Sequence, residues 1–179
     1  MWRWAFLLVI TFLAACGVPS EQKVADVDGL ARALQTMDST NRVAPQEARR
    51  AAEIAYAYSL EQREAYKVSD PPLIHNTKVN QGLRPRGLCW HWADDLEARL
   101  RREGFKSFSF HRAIANIDNL RVEHSTVILS AKGAPMQDGI VLDGWRYGGY
   151  LFWAPLPEDT RYTWVPRAEV FATRRKGAL

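Results

Sequence analysis

An α+β fold is predicted for this 179-residue chain from three observations. Apolar residues recur at helical spacing as far as Gly104, and beyond it the period changes to alternation. The alternating runs are separated by short Asn-, Gly- and Pro-bearing turns, which suit antiparallel neighbours. Helices first and strands second then place a central helix on an antiparallel sheet. At this length, one domain with a real core is expected.

Taken in order, the chain opens on an export signal. Arg3 is the single charge of the first four residues, and residues 5–13 are apolar apart from Thr11. Leu13-Ala14-Ala15-Cys16 then sets small residues before a cysteine. Such a segment is too short to be a comfortable membrane span. It resembles the lipobox of bacterial lipoproteins. That resemblance implies loss of residues 1–15, lipid on the sulfur and amino group of Cys16, and membrane attachment through it. A tether over 16–22 and a single domain over 23–179 would follow. Gly17 rather than Asp after the cysteine implies the outer membrane, facing the periplasm, as the address in the cell envelope.

Residues 24–37 are predicted helical, with Val27, Leu30, Ala31 and Leu34 at core spacing, and Asp38-Ser39-Thr40-Asn41 breaks the pattern. Pro45 suits a first helical turn, and a long Ala-, Glu- and Arg-rich helix follows over 48–66. Ala51, Ile54, Ala55, Tyr58 and Ala65 make its packing stripe. Asp70-Pro71-Pro72 ends it, and the polar residues 75–86 read as a loop. A helix beginning at Cys89 comes next. Ala93, Leu96 and Leu100 share the face of the thiol, Asp94, Glu97, Arg99, Arg101 and Arg102 fill the other, and Gly104 stops it. Strands are predicted over 106–114, 121–131, 138–145 and 150–154, with a last edge strand over 162–165. The second of these is the strongest, β-branched and apolar.

The formal charge of +4 is too small to argue for nucleic acid, and an exported address argues against it. Arg174-Arg175-Lys176 reads as a solvated end. Cysteine usage is more informative. Only Cys16 and Cys89 exist, so a lipidated Cys16 leaves Cys89 unpaired in a compartment where disulfides normally form. A lone thiol there is an oxidation liability, which is easier to understand if it does chemistry than if it is a small core hydrophobe. At a helix N-terminus it would sit beside unpaired N–H groups and the positive end of the dipole, a setting that favours thiolate.

A cysteine nucleophile needs a base, and the base needs a group to hold its ring. His91 follows Cys89 by two positions on one helix and points elsewhere. His75 falls in a loop, and His111 near the end of a strand has no evident partner. His124 lies on the best strand, and Asp143 on the next. A hairpin folded about Gly133-Ala134 would set these two directly opposite, on one face. Zinc is disfavoured: Cys89 and His91 do not converge from one helix, and no second cysteine is left. No cofactor is expected.

Gly87-Leu88-Cys89-Trp90, followed by a strand histidine and an aspartate on the next strand, resembles the transglutaminase-like branch of the papain-fold cysteine enzymes. The resemblance spans about residues 85–145, with a helical N-terminal lobe of compatible character. It implies Cys89 as nucleophile, His124 as base and Asp143 as its orienter. Trp90 would be an aromatic beside the site and the Cys89 N–H one oxyanion donor. Asn80 and Gln81 are candidates for a second donor by position alone. The implied substrates are amides, in peptides or peptidoglycan-like polymers, with release to water or to an amine left open. A non-catalytic binding lipoprotein on the same scaffold is the alternative, since fold does not fix function.

Overall fold

The computed structural model describes residues 23–39, 43–118 and 122–177. The expected signal, Cys16 and the expected tether lie outside the described residues. Helix α1 (Val27–Thr36) starts where the Asp26 carboxylate accepts from the Gly29 N–H at 2.8 Å, an N-cap that satisfies one orphan donor. Helix α2 (Pro45–Ala65) carries Pro45 in its first turn. Ala51, Ala52, Ile54 and Ala55 are buried, and the small alanines let α1 and α4 approach closely. Tyr58 packs at the rim of this core, while Ala65, expected on the stripe, is exposed.

Helix α3 (Pro72–Asn80) replaces the first half of the loop expected over 75–86. Pro71 is extended and Pro72 takes the first helical turn, so the pair that ends one helix also begins another. Its nine residues bury only His75, so no apolar stripe announces it. Helix α4 (Cys89–Arg101) keeps the predicted start and stop, with Gly104 at φ +70° after its last turn. Ala93, Leu96 and Leu100 face the core.

Among the described residues the sheet has five strands: β1 (Phe108–Ala115), β2 (His124–Ala131), β3 (Ile140–Asp143), β4 (Phe152–Pro155) and β5 (Val165–Pro166). Their order is β4-β3-β2-β1-β5, with every neighbouring pair antiparallel. Strand β2 is central and all eight of its residues are buried. Val127 and Leu129 pack on α1, α2 and α4, while Ile128, on the opposite face, meets Ala113, Met136, Val141 and Trp164. Helix α5 (Arg167–Arg175) packs against β1, and Arg174 pairs with Glu123 just before β2. Of the basic run, Arg174 is therefore docked, while Arg175 and Lys176 are exposed. Among the described residues, no helix is long and apolar enough to cross a membrane.

The register between β2 and β3 corrects one expectation. Val127 pairs with Leu142 and Ile128 with Val141, which continues to put Thr126 opposite Asp143 and His124 opposite Trp145. His124 and Asp143 are diagonal, not directly opposite. A 3-10 turn over Met136–Asp138 lies between the strands and moves the hairpin axis beyond Ala134. The slip is two residues, an even number, so both side chains stay on one face. That face carries the site.

The helix that presents Cys89 depends on its buried stripe. Leu100→Ala should cost about 2–5 kcal/mol of unfolding free energy, because Leu100 is fully buried between α4, α2 and the sheet. Chemical denaturation of the two chains measures this, with a lower midpoint and an unchanged slope expected.

Candidate active site

The turn before Cys89 is held by side chains from three helices. His75 Nε2 bonds the Arg86 carbonyl at 2.9 Å, and the Trp92 indole N–H donates to the Gly87 carbonyl at 3.0 Å. His91 Nδ1 accepts from the N–H groups of Gly87 and Leu88, both at 3.2 Å. Arg86 donates to both oxygens of Asp95 at 2.9 and 3.0 Å, and the Tyr66 hydroxyl donates to the same carboxylate at 2.5 Å. With the N–H groups of Gly87 and Leu88 taken, that of Cys89 stands next at the helix end, where no intrahelical carbonyl reaches. His91 and His75 thus build the turn. Burial and the nearby Arg86 charge lower the His91 pKa, in keeping with a neutral acceptor.

Gly87 makes this turn possible. Its φ is +126°, and a Cβ there would lie 2.3 Å from His75 Nε2. Gly87→Ala should therefore destabilise the fold by about 1–3 kcal/mol from backbone strain, and by more if His75 cannot move. The denaturation midpoint and the rate of Cys89 alkylation should fall together, since the displaced turn carries the thiol.

Helix α4 packs along β2, so the starts of both elements meet. The Cys89 thiol donates to the Glu123 carbonyl at 3.4 Å, and it is only 8% exposed. His124, at 1% exposed, begins β2. Its Nε2 lies 2.6 Å from Asp143 Oδ2, while its Nδ1 is buried without a hydrogen-bond partner. An ionised Asp143 fixes the proton on Nε2 and leaves Nδ1 as the acceptor on the neutral ring. Three aromatic rings enclose the imidazole: Trp145 at 4.6 Å, Tyr162 at 4.9 Å and Trp164 at 5.3 Å between centroids. Trp145 is tied to α3, where Asn76 Oδ1 accepts its indole N–H at 3.0 Å.

Electrostatics favour the charged ring. Burial alone depresses the His124 pKa, but the charge and hydrogen bond of Asp143, with the adjacent Cys89, overcome it and raise the group to about 9. Burial alone would raise Asp143, yet His124 and Arg146 hold it down at about 2. The dyad is an ion pair at neutral pH.

Behind Asp143 lies a buried ionic chain absent from the sequence reading. Asp143 Oδ1 accepts the Arg146 N–H at 3.0 Å, and Oδ2 accepts Arg146 Nε at 2.9 Å. The other arm of that guanidinium grips Asp159 through two bonds of 2.9 and 2.6 Å. Trp164 donates its indole N–H to Asp159 at 2.9 Å. Arg146 also lies over the Phe152 ring, 3.7 Å from its centroid. The signal available was the Asp143-Gly144-Trp145-Arg146 run, where an arginine follows the carboxylate by one turn.

Trp90 is 48% exposed, with its ring 3.8 Å from that of His91, and so flanks the thiol as an accessible aromatic. Asn80 and Gln81 are exposed at the end of α3, and among the described residues no hydrogen bond joins either to Cys89 or His124. A cleft of about 640 Å³ lies between β1 and α5 and is lined by His111, Arg112, Met136 and Phe171, apart from the thiol. No protein-family model, curated protein or solved structure matches this chain.

Proposed function

We propose that this chain is an envelope lipoprotein whose Cys89, His124 and Asp143 perform acyl transfer on amide bonds, on a papain-like, transglutaminase-like core. One observation carries the reading. Three residues far apart in sequence meet with the ring's Nε2 committed to a buried carboxylate and its Nδ1 left for the thiol. In the reaction, the proton of Cys89 is held on His124 Nδ1 in the imidazolium, and the thiolate attacks the amide carbonyl. The Cys89 N–H at the helix end stabilises the oxyanion. Collapse of the tetrahedral adduct breaks the C–N bond, and the imidazolium protonates the leaving amine. Water or an acceptor amine then attacks the thioester, giving up its proton to His124 as the thiolate departs. Water makes a peptidase or amidase; an amine makes a transamidase.

The test is chemical trapping. The full chain is exposed to peptide and peptidoglycan-stem amides and quenched, and the Cys89 peptide is examined by mass spectrometry. An adduct with the mass of the substrate's acyl fragment, the amine having left, is expected, and it is lost on adding hydroxylamine. The reading fails if native Cys89 resists an electrophilic thiol probe that modifies the unfolded chain. Enclosure of the ring and thiol favours a second reading, a binding module for amide-bearing polymers. It predicts saturable binding of those ligands with no adduct and no turnover.

A further inference from the structure

We propose that Arg146 and Asp159 are positioning residues that set the proton affinity of His124 through Asp143. This rests on the Cys89–His124–Asp143 reading and extends it by two residues from loops beyond β3. The geometry is specific. Arg146 Nε and His124 Nε2 share a single oxygen, Asp143 Oδ2, at 2.9 and 2.6 Å. The far arm of Arg146 is bidentate on Asp159, and all three side chains are buried.

Holding Asp143 in place does not require this. Its Oδ1 already accepts a backbone N–H, and a buried ion pair is seldom more stabilising than apolar residues of the same shape. What the guanidinium adds is charge. Beside Asp143 it competes with the imidazolium for the same oxygen and repels the imidazolium directly, so it restrains how firmly His124 keeps its proton. Asp159 partly cancels Arg146 and so relaxes that restraint. The signs alternate from thiolate through imidazolium, Asp143 and Arg146 to Asp159. A general acid must release its proton within each turnover, and a dyad with no counterweight would hold it too tightly.

The charged and titratable groups facing the ring are Asp143 from β3, Cys89 from α4, Arg146 from the loop after β3 and Tyr162 from the segment before β5. The Glu123–Arg174 pair lies at the neighbouring residue and contributes no net charge. Arg146 is thus the cation tied to the carboxylate that His124 uses.

The two charges have opposite effects, and this gives the test. The ring titration of His124 is followed by carbon NMR of the full chain, with the signal assigned by its loss in His124→Gln. Arg146→Gln should move the midpoint up and Asp159→Asn should move it down, each by about one pH unit. A merely structural pair would move both the same way or neither. The double variant Arg146→Gln/Asp159→Asn removes both charges together. It should titrate above the wild type, since the nearer charge dominates, and it carries the test if either single variant fails to fold. Shifts of one sign in both single variants, or a double variant at the wild-type midpoint, would overturn the inference. Cys89→Ala separates this from the function itself. If it leaves the His124 midpoint unmoved, the thiol and ring are uncoupled and the acyl-transfer reading falls, while the opposed shifts of Arg146→Gln and Asp159→Asn still decide this inference.

Discussion

His124→Gln should lower the rate of Cys89 acylation by about 10²–10⁴-fold, the usual range for a lost general acid–base. Glutamine keeps an amide N–H for Asp143 and fills much of the space under Trp145 and Trp164, so the buried carboxylate stays bonded. It cannot take the thiol proton or return one to a leaving amine. Its single-turnover rate with an amide should therefore collapse. An activated thioester, whose leaving group needs no protonation, should be affected less. That contrast separates lost acid catalysis from a damaged site. Cys89 alkylation near neutral pH should slow as well, because nothing beside the thiol then favours its ionised form. A variant that melts with the wild type and acylates at the wild-type rate would leave His124 as a stacked core residue.

The elements legible in the sequence are those whose determinants are local. The α4 start rests on a glycine turn before Cys89 and its stop on Gly104, and both residues are close in sequence to what they terminate. The composition of β2 marks a strand covered on both faces. Helix α3 was hidden because nine residues with one buried side chain carry no period, and Pro71-Pro72 reads equally as an end and a beginning. Helix α5 was hidden for a related reason: its charges resemble a solvated terminus, and only Val170 is buried.

For the site, identity was legible where geometry was not. Cys89, His124 and Asp143 could be picked by residue type and order, but the β2–β3 register depends on a 3-10 turn that residues 132–139 do not advertise. Asp159, and the role of Arg146 beyond its spacing from Asp143, were hidden for a deeper reason. Charged residues in loops are ordinarily exposed, and only the tertiary arrangement of Phe152, Tyr162 and Trp164 encloses this pair.

Asp143→Asn should weaken both the chemistry and the pH dependence of folding, and the two effects have one cause. The carboxylate serves as a turn cap through Oδ1 and as the anchor of His124 through Oδ2. Asparagine can keep the cap but not the charge, and its amide can offer the ring a donor in place of an acceptor. His124 should then titrate well below about 9, since burial, which opposes the charged form, is no longer outweighed by Asp143. Less imidazolium means slower release of the leaving amine, with a loss of about 10²–10⁴-fold expected at neutral pH. Stability depends on pH through both partners of the dyad. His124 is raised from its ordinary 6.5, so its contribution is full below that value and is lost as pH rises through about 9. Asp143 is lowered from 3.8, so the same ion pair stabilises above that value and is lost as pH falls toward about 2. Wild-type stability should accordingly fall away at both ends, and Asp143→Asn should flatten the alkaline fall while lowering the plateau. Arg146, left with Asp159 as its carboxylate partner, should hold the loop in place. Melting temperature against pH, measured beside the alkylation profile, checks this. An unchanged alkaline limb in Asp143→Asn would mean that His124 does not take its charge from Asp143.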